Sequence, residues 1–282
     1  MDFTKMEGAG NDYVYLDCLS SSPPQLTGQQ IARISHRHFG VGSDGLVMIL
    51  PSSKADVRMR MWNSDGSESA MCGNALRCVA LYAGKQMRKD TLRIETLSGI
   101  HPARILSDSS SIGGRMVEVS IGRPRLEPAE IPFLPGEVGF HGGALVDVGL
   151  GTIPGMGEVK ATLVSMGNPH CVIFVQEPDE IDIELSGPAL ENHPAFPEKT
   201  NVEFVSILAD GSLKQRTWER GSGETLACGS GVCAVLVASS LARNLPRKNT
   251  IHVRGGDLVA EWTDEVILTG PARIVYQGQI TV

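Results

Sequence analysis

The chain has 282 residues, of which 41% are hydrophobic and 20% are charged, the balance of a globular protein with a substantial core. Its formal net charge is −7, so a nucleic-acid backbone is not an expected partner. We expect a cytoplasmic protein without a signal peptide or membrane association, because the first residues lack a basic stretch followed by an apolar one and no apolar run approaches the ~20 residues of a membrane span.

The predicted elements, in chain order, are many strands and a few helices. Thr27 and Gln30 have the spacing of a capping box, so a helix is expected to begin there. Apolar residues at every second position predict half-buried strands at 57–61 and 117–121, and a continuous apolar run predicts a buried strand at 171–175. Further strands are expected at 145–148 and 266–268, and helices at 74–83 and 231–241. This mixture predicts an α+β fold in which strands wrap around a helix.

The chain also repeats itself. Residues 68–74 (E-S-A-M-C-G-N) match residues 224–230 (E-T-L-A-C-G-S), which places Cys72 and Cys228 at an offset of 228 − 72 = 156 residues. Four further parallels occur in the same order at offsets of 148 to 159 residues, and one of them relates Thr27 to Ser186 before Gly187-Pro188. The repeat predicts two homologous halves.

We therefore predict two domains. The N-terminal domain is expected to comprise residues 1–128 and 274–282 and to carry Cys72, with the last strand crossing back to complete it. The C-terminal domain is expected to comprise residues 129–273 and to carry Cys228. A Pro-rich stretch at 124–135 is the predicted link between the halves.

The six cysteines show no C-x-x-C and no zinc-finger spacing, so we expect free thiols and no metal site. Those outside the repeat are expected to be small buried hydrophobic side chains: Cys18, Cys78, Cys171 and Cys233. The two repeated cysteines differ, because each sits in a C-G-[N/S] turn just before a predicted helix.

A cysteine at a helix start lies in an electropositive environment. The helix dipole lowers the pKa of a thiol there. The first unpaired N–H groups, at Gly73-Asn74 and Gly229-Ser230, favour an anion. We expect the two sites to face each other across a cleft, with a sulfur on either side of a bound carboxylate.

This arrangement suits inversion of an amino-acid Cα centre. The Cα–H is a very weak acid, and N–H donors aimed at the enolate that forms on its removal stabilise the transition state. One cysteine, as thiolate, takes the proton from one face, and the other, as thiol, delivers a proton to the opposite face. The pattern leaves open two other interpretations of Cys72 and Cys228, a redox pair and a structural disulfide across the cleft.

Five separated stretches carry a family resemblance: M-E-G-A-G-N-D (6–12), N-S-D-G-S-E (63–68), M-C-G-N (71–74), S-M-G-N-P-H-C (165–171) and E-R-G-S-G-E-T-L-A-C-G-S-G (219–231). In this order they resemble the diaminopimelate epimerases over the whole chain. The resemblance implies two pseudo-symmetric domains, each a β-barrel-like sheet wrapped around a central helix, with the active site in the cleft between them. It also implies a cytoplasmic, homodimeric isomerase that interconverts LL- and meso-diaminopimelate without pyridoxal phosphate or another cofactor, in lysine and peptidoglycan precursor biosynthesis.

The resemblance also implies roles by position. Cys72 and Cys228 match the acid/base cysteines, and His170 and Glu219 match residues that tune the proton affinity of the thiols. The remaining matches are to substrate-binding positions: Asn11, Asn63, Gly73, Asn74, Asn168, Asn201, Glu219, Arg220, Gly229 and Ser230. Taken alone, an asparagine such as Asn63 is typical of a turn, His170 of a structural histidine, and Glu219-Arg220 of a surface ion pair.

The sequence departs from the family pattern at two positions. Some members have glutamine where this chain has Gly45, and the usual glycine after C-G-N is Ala75 here.

A racemase of the same fold acting on another amino acid, such as histidine or proline, would use the same chemistry with different distal contacts. A non-enzymatic ligand-binding protein or a thiol redox protein is the alternative from another class.

Overall fold

The computed structural model describes residues 1–109, 113–134 and 143–281. The described residues form two compact units, Met1–Ser120 with Thr269–Val282 (the N-terminal unit) and Ile121–Leu268 (the C-terminal unit). These boundaries precede the expected ones at 128/129 and 273/274. Both fall inside strands rather than in loops, so no change of composition marks them. The end of the predicted linker, Pro135, lies outside the described residues.

The N-terminal unit has two helices among short strands: β1 (Asp2–Gly8), β2 (Asn11–Asp17), α1 (Gly28–Ser35), β3 (Gly45–Leu50), β4 (Val57–Asn63), β5 (Glu68–Ser69), α2 (Gly73–Met87), β6 (Thr91–Thr96), β7 (Gly99–Ser109) and β8 (Arg115–Gly122). The last strand of the chain, β17 (Val266–Gln279), begins in the C-terminal unit and runs into this one.

These strands close into a ring. Strands β1, β2, β3, β4, β6, β7 and β8 pair in that order, parallel at β2–β3 and β4–β6 and antiparallel elsewhere. Strand β17 pairs antiparallel with β1 and also pairs with β8, so it joins the two ends. Helix α2 packs against six of these strands and buries most of its residues, so it is the central helix of the ring.

The C-terminal unit has the same kinds of element: β9 (Val148–Ile153), β10 (Gly157–Ser165), β11 (Pro169–Phe174), α3 (Ile183–Glu191), β12 (Asn201–Ile207), β13 (Leu213–Glu219), β14 (Gly223–Thr225), α4 (Gly229–Arg243), β15 (Lys248–Val253) and β16 (Gly256–Trp262). Two short 3-10 helices also occur, at Pro128–Glu130 and Pro178–Glu180. Helix α4 packs against β10, β11, β12, β15 and β16 and is the buried helix of this unit.

The strand pairing confirms the predicted duplication. The elements from β10 to β16 follow one another as those from β1 to β7 do, with α3 in the place of α1 and α4 in the place of α2. The parallel pairs β2–β3 and β4–β6 have counterparts in β11–β12 and β13–β15. Each unit is thus an α+β fold in which strands surround one helix, as the sequence predicts.

A second helix covers the outside of each sheet. In the N-terminal unit, Ile31 and Ile34 of α1 are buried in one cluster with Val14 of β2 and Leu46 of β3. In the C-terminal unit, residues of α3 join a larger cluster with β9 to β12. Strands covered on both faces have continuous apolar sequences, and the predicted buried strand at 171–175 is confirmed as β11.

Three expectations about element ends have clear outcomes. The capping box is confirmed, because Thr27 Oγ1 accepts from the backbone N–H of Gln30 and Gln30 Oε1 accepts from that of Thr27. Ser186, the parallel of Thr27 in the repeat, does not begin a helix as Thr27 does: Asp182 caps α3 by accepting from Leu185 N, and Ser186 lies inside the helix. The strand expected at 145–148 begins only at its last residue, where β9 starts.

None of the helices in the described part of the chain has the length and apolar character needed to cross a membrane.

Candidate active site

Cys72 lies at the start of the central helix of the N-terminal unit. It is the N-cap residue of α2, with extended backbone, and Gly73 is the first helical residue. Its half-buried Sγ donates to Oδ1 of Asn11 over 3.6 Å. The C-G-N turn therefore places the thiol at a helix N-terminus, and Asn11 of β2 brings an amide beside it.

A charged cluster orients Asn11. Its Nδ2 donates to Oδ2 of Asp44 over 2.7 Å, which leaves Oδ1 for the thiol. The same Asp44 oxygen accepts from the backbone N–H of Asp12, and Arg37 Nη2 lies 2.8 Å from both Asp44 Oδ1 and Asp12 Oδ1. Burial raises the pKa of Asp44. At Asp12 the effect of burial is outweighed by hydrogen bonds from Arg37 and Lys5, which lower its pKa.

Sequence reasoning did not find Asp44, Asp12 or Arg37. Each is a common surface residue type. Asp12 follows Asn11 in the chain, whereas Asp44, just before β3, and Arg37, after α1, come close to it only in the folded structure.

Asn74, the second residue of α2, is fully enclosed. Its Oδ1 accepts from Nη2 of Arg77 over 2.9 Å, and Arg77 Nε donates to the carbonyl of Pro271 in β17 over 3.1 Å. Arg77 is itself completely buried. These contacts tie the first turn of α2, next to Cys72, to a strand at the far end of the sequence.

Asn63 occupies an exposed turn at the end of β4. Its Nδ2 donates to Ser67 Oγ over 3.1 Å, and its backbone N–H donates to the Ser67 carbonyl over 2.9 Å. On the neighbouring strand, Gly45 is its register partner. A Cβ at Gly45 would lie 1.9 Å from the carbonyl oxygen of Trp62, so this backbone has no room for glutamine there. The other departure, Ala75, is buried inside α2.

Cys228 has the corresponding place in the C-terminal unit. It is the N-cap of α4, and its Sγ accepts from the backbone N–H of Gly231 over 3.4 Å. Ser230 Oγ lies 3.5 Å from the sulfur. The residue is only 5% exposed, and Gly229 is the first residue of the helix.

The electrostatics of Cys228 differ from the sequence expectation. Burial, followed by the negative charges of Glu219 and Glu203, raises the pKa of this thiol well above its ordinary value. The expectation that the helix N-terminus lowers the thiol pKa is therefore wrong for Cys228, because burial and two carboxylates outweigh the hydrogen bonds from Gly231 and Ser230. The pKa of Glu219 is raised as well, first by burial and then by Glu203, against a 2.6 Å hydrogen bond from Thr225.

His170 and Glu203 form a buried pair behind this site. His170 Nδ1 lies 2.7 Å from Glu203 Oε1, with no exposed surface on either side chain, and Nε2 lies 3.1 Å from Asn168 Oδ1. Sequence reasoning proposed His170 and Asn168 but missed Glu203. The available signal was one acidic residue inside the otherwise apolar start of β12, N-V-E-F-V.

Asn201 and Arg220 lie beside the pair. Asn201 Nδ2 donates to the carbonyl of Pro169 over 2.8 Å, and its Oδ1 accepts from the backbone N–H of Arg220 over 3.0 Å. Arg220 is exposed, and its Nη1 donates to the carbonyl of Glu198 over 2.9 Å. The structure thus gives Glu219 and Arg220 separate partners, unlike the surface ion pair that the dipeptide alone suggests.

The remaining cysteines behave as the sequence predicts. All six are free thiols, and Cys18, Cys78, Cys171 and Cys233 are buried. Within residues 1–109, 113–134 and 143–281, no three side chains of the His, Cys, Asp and Glu types are grouped so that they could hold a metal ion.

Comparison with known proteins identifies the family. The model of the diaminopimelate epimerase family matches residues 3–127 and 162–275. The diaminopimelate epimerase of Pelotomaculum thermopropionicum is 46% identical over 286 residues, covering 99% of this chain and 98% of that relative. The diaminopimelate epimerase of Methanococcus maripaludis strain C5 is 44% identical over 297 residues, covering 100% of both chains.

Solved structures share the fold at much lower identity. A phenazine biosynthesis protein of the PhzF family from Bacillus anthracis matches with a TM-score of 0.67 and 16% identity, covering 100% of this chain and 99% of that one. A hydroxyproline epimerase from Agrobacterium vitis matches with a TM-score of 0.66 and 15% identity, covering 99% and 90%. These likenesses support the duplicated fold alone. The family match and the full-length relatives, together with a thiol at the start of each central helix, show that the chain belongs to the diaminopimelate epimerase family.

Proposed function

We propose that this chain is an isomerase that interconverts LL- and meso-diaminopimelate by transferring the α-proton between Cys72 and Cys228, in lysine and peptidoglycan precursor biosynthesis. The observation that carries the proposal is that each of the two cysteines is the N-cap residue of a buried central helix. The family match supports the substrate.

Each half-site supplies the same two elements to the reaction. A sulfur exchanges a proton with Cα, and the first N–H groups of the helix, at Gly73-Asn74 and Gly229-Ser230, face the α-carboxylate and stabilise its charge as the enolate forms. One sulfur starts as thiolate and ends as thiol, and the other does the reverse, so the net protonation is unchanged after each turnover. The reverse reaction exchanges the roles.

The side chains that the family resemblance assigns to substrate binding suit a substrate with two amino-acid ends. Arg220 is exposed and can pair with the distal carboxylate through a planar fork. Glu219 can accept from an ammonium group. The amides of Asn11, Asn168 and Asn201 both donate and accept hydrogen bonds, and Asn63 offers a further amide.

The first test is proton NMR of freshly reduced protein with LL-diaminopimelate in D₂O, with no cofactor added. We expect the α-proton signal to disappear as the meso isomer accumulates. Cys72→Ala and Cys228→Ala should each abolish turnover. Turnover by either variant at more than about a tenth of the wild-type rate would contradict the two-thiol mechanism, since each thiol performs a required proton transfer.

The substrate is tested separately. If the chain is a racemase of histidine or proline, exchange will occur with those amino acids and not with diaminopimelate. Arg220→Ala should raise KM for diaminopimelate strongly. An unchanged KM would contradict the proposed contact between Arg220 and the distal carboxylate. No exchange across the whole panel, with both thiols free, would favour a ligand-binding or thiol redox protein.

The cytoplasmic location and the homodimer stay predictions from the family resemblance. Light scattering coupled to size exclusion would test the dimer directly.

A further inference from the structure

Glu203 is a buried acid that the reaction scheme above does not use. It lies in β12, where its neighbours Val202 and Phe204 belong to the apolar cluster with α3. Because side chains alternate along a strand, Glu203 points to the opposite face, where α4 lies. Its side chain has no exposed surface.

The carboxylate is only half satisfied by hydrogen bonds. Oε1 accepts from Nδ1 of His170, on β11, over 2.7 Å. Oε2 is buried and has no hydrogen-bond partner within the part of the chain that the structure describes. A buried carboxylate oxygen without a partner is costly, so its retention calls for a function.

The position of Glu203 against α4 explains a glycine in the cysteine motif. A Cβ at Gly231 would lie 2.6 Å from Oε1 of Glu203 and 3.3 Å from Sγ of Cys228. The backbone N–H of Gly231 donates to that same sulfur. Because Gly231, the last residue of the C-G-S-G motif, has no side chain, the carboxylate of Glu203 can pack against the turn that carries the Cys228 thiol.

Among the described residues, two carboxylates face Cys228, Glu203 on β12 and Glu219 on β13, and His170 on β11 is bonded to the first of them. Both carboxylates raise the pKa of the thiol, in addition to its burial. A carboxylate only accepts hydrogen bonds, so His170 must carry a proton on Nδ1.

We propose that Glu203 is a positioning residue of this site: it fixes the Nδ1-protonated form of His170 and keeps Cys228 as the proton-carrying thiol in the resting state. The inference rests on the proposed function. Once Cys72 has given its own proton to solvent, Cys228 gives its S–H proton to Cα and becomes a thiolate, while the Cα–H proton passes to the sulfur of Cys72. The reverse reaction restores both sulfurs.

The test measures the two thiols one by one, without substrate. Full-length reduced protein is treated with iodoacetamide at pH 7.5, and modification of each cysteine is followed by peptide mass spectrometry. Alkylation requires the thiolate, so the rate reports the ionised fraction. Removing the charge in Glu203→Gln lowers the pKa of Cys228 and should raise its alkylation rate about tenfold. The Cys72 rate should stay within about twofold.

Matched variants separate charge from packing. Glu203→Asp keeps the charge and should leave the Cys228 rate near that of the wild type. Ser206→Ala, another buried polar residue of β12, should change neither rate. A Cys228 rate that is the same in Glu203→Gln and in the wild type would overturn the proposal and leave Glu203 with a structural role alone.

A measurement on the unchanged protein covers the case in which Glu203→Gln does not fold. Long-range proton–nitrogen NMR of the His170 ring should show a proton on Nδ1 at pH 7.5, the pH of the alkylation experiment. A ring protonated only at Nε2 would overturn the proposal. Neither measurement uses diaminopimelate, so a failure here is distinguishable from a wrong substrate, which the D₂O exchange experiment detects.

Discussion

Replacing Gly231 by alanine tests the packing of the Cys228 site with one methyl group. The new Cβ would lie 2.6 Å from Glu203 Oε1, 3.2 Å from Cys228 Cβ and 3.3 Å from Cys228 Sγ. Ordinary contacts begin near 3.4 Å. Because Glu203 is held by His170 and enclosed on all sides, the methyl group must displace either the carboxylate or the thiol.

The expected magnitudes follow from these contacts. Overpacking a tight site costs about 1–3 kcal/mol, and alanine regains about 1 kcal/mol over glycine inside a helix. We therefore expect the free energy of unfolding of Gly231→Ala to fall by about 1 kcal/mol, measured by urea denaturation. The effect on turnover should be larger, about a hundredfold in kcat, because a displacement of ~1 Å at a reacting group costs that much.

A double-mutant cycle identifies the contact. If Glu203 is the group that clashes, Gly231→Ala should cost less stability in a Glu203→Ala background, with a coupling energy of about 1 kcal/mol. A Gly231→Ala protein that is more stable than the wild type and has an unchanged kcat would refute the reasoning, since it would show that the first turn of α4 has room for a side chain.

Two further predictions concern stability. Gly45→Ala should lower the free energy of unfolding by about 3 kcal/mol, because its Cβ would lie 1.9 Å from a carbonyl oxygen of β4. Gly151→Ala is the matched control: nothing lies within 4 Å of its Cβ, so only the positive φ of 74° opposes the change, at about 1 kcal/mol. Urea denaturation measures both, and equal losses would contradict the steric argument. Separately, burial raises the pKa of the Cys78 thiol from 9.0 to about 12. The unfolded chain then loses this proton first as the pH rises, so the free energy of unfolding should fall between pH 9 and 12. Cys78→Ala should make that decline shallower by about 1.4 kcal/mol per pH unit, and an unchanged slope in urea titrations at pH 8 to 11 would contradict the prediction.

The two half-sites share a backbone plan but differ in their charges. Cys72 is paired with an amide, Asn11, that Asp44 orients. Cys228 faces two carboxylates instead. Duplication accounts for the helix starts, whereas the two sulfurs face different side chains, an amide in one half and two carboxylates in the other.

The sequence alone determined the features that local patterns encode. The repeated C-G-[N/S] motif located both helix starts, because a short turn before an apolar helix is a local arrangement. Ordered parallels between the halves predicted the duplication, and the capping box at Thr27 was correct for the same local reason. The family motifs also named His170 and Asn168, which the structure places together.

Only the tertiary structure decided what depends on contacts between distant residues. The unit boundaries lie inside β8 and β17, because a strand can pass from one unit to the next without any break in its pattern. The pKa of Cys228 is raised and not lowered, because Glu203 and Glu219 reach it from two other strands. A helix dipole is a local property that sequence can anticipate, whereas burial and charge from neighbouring strands exist only once the sheet has closed around the helix.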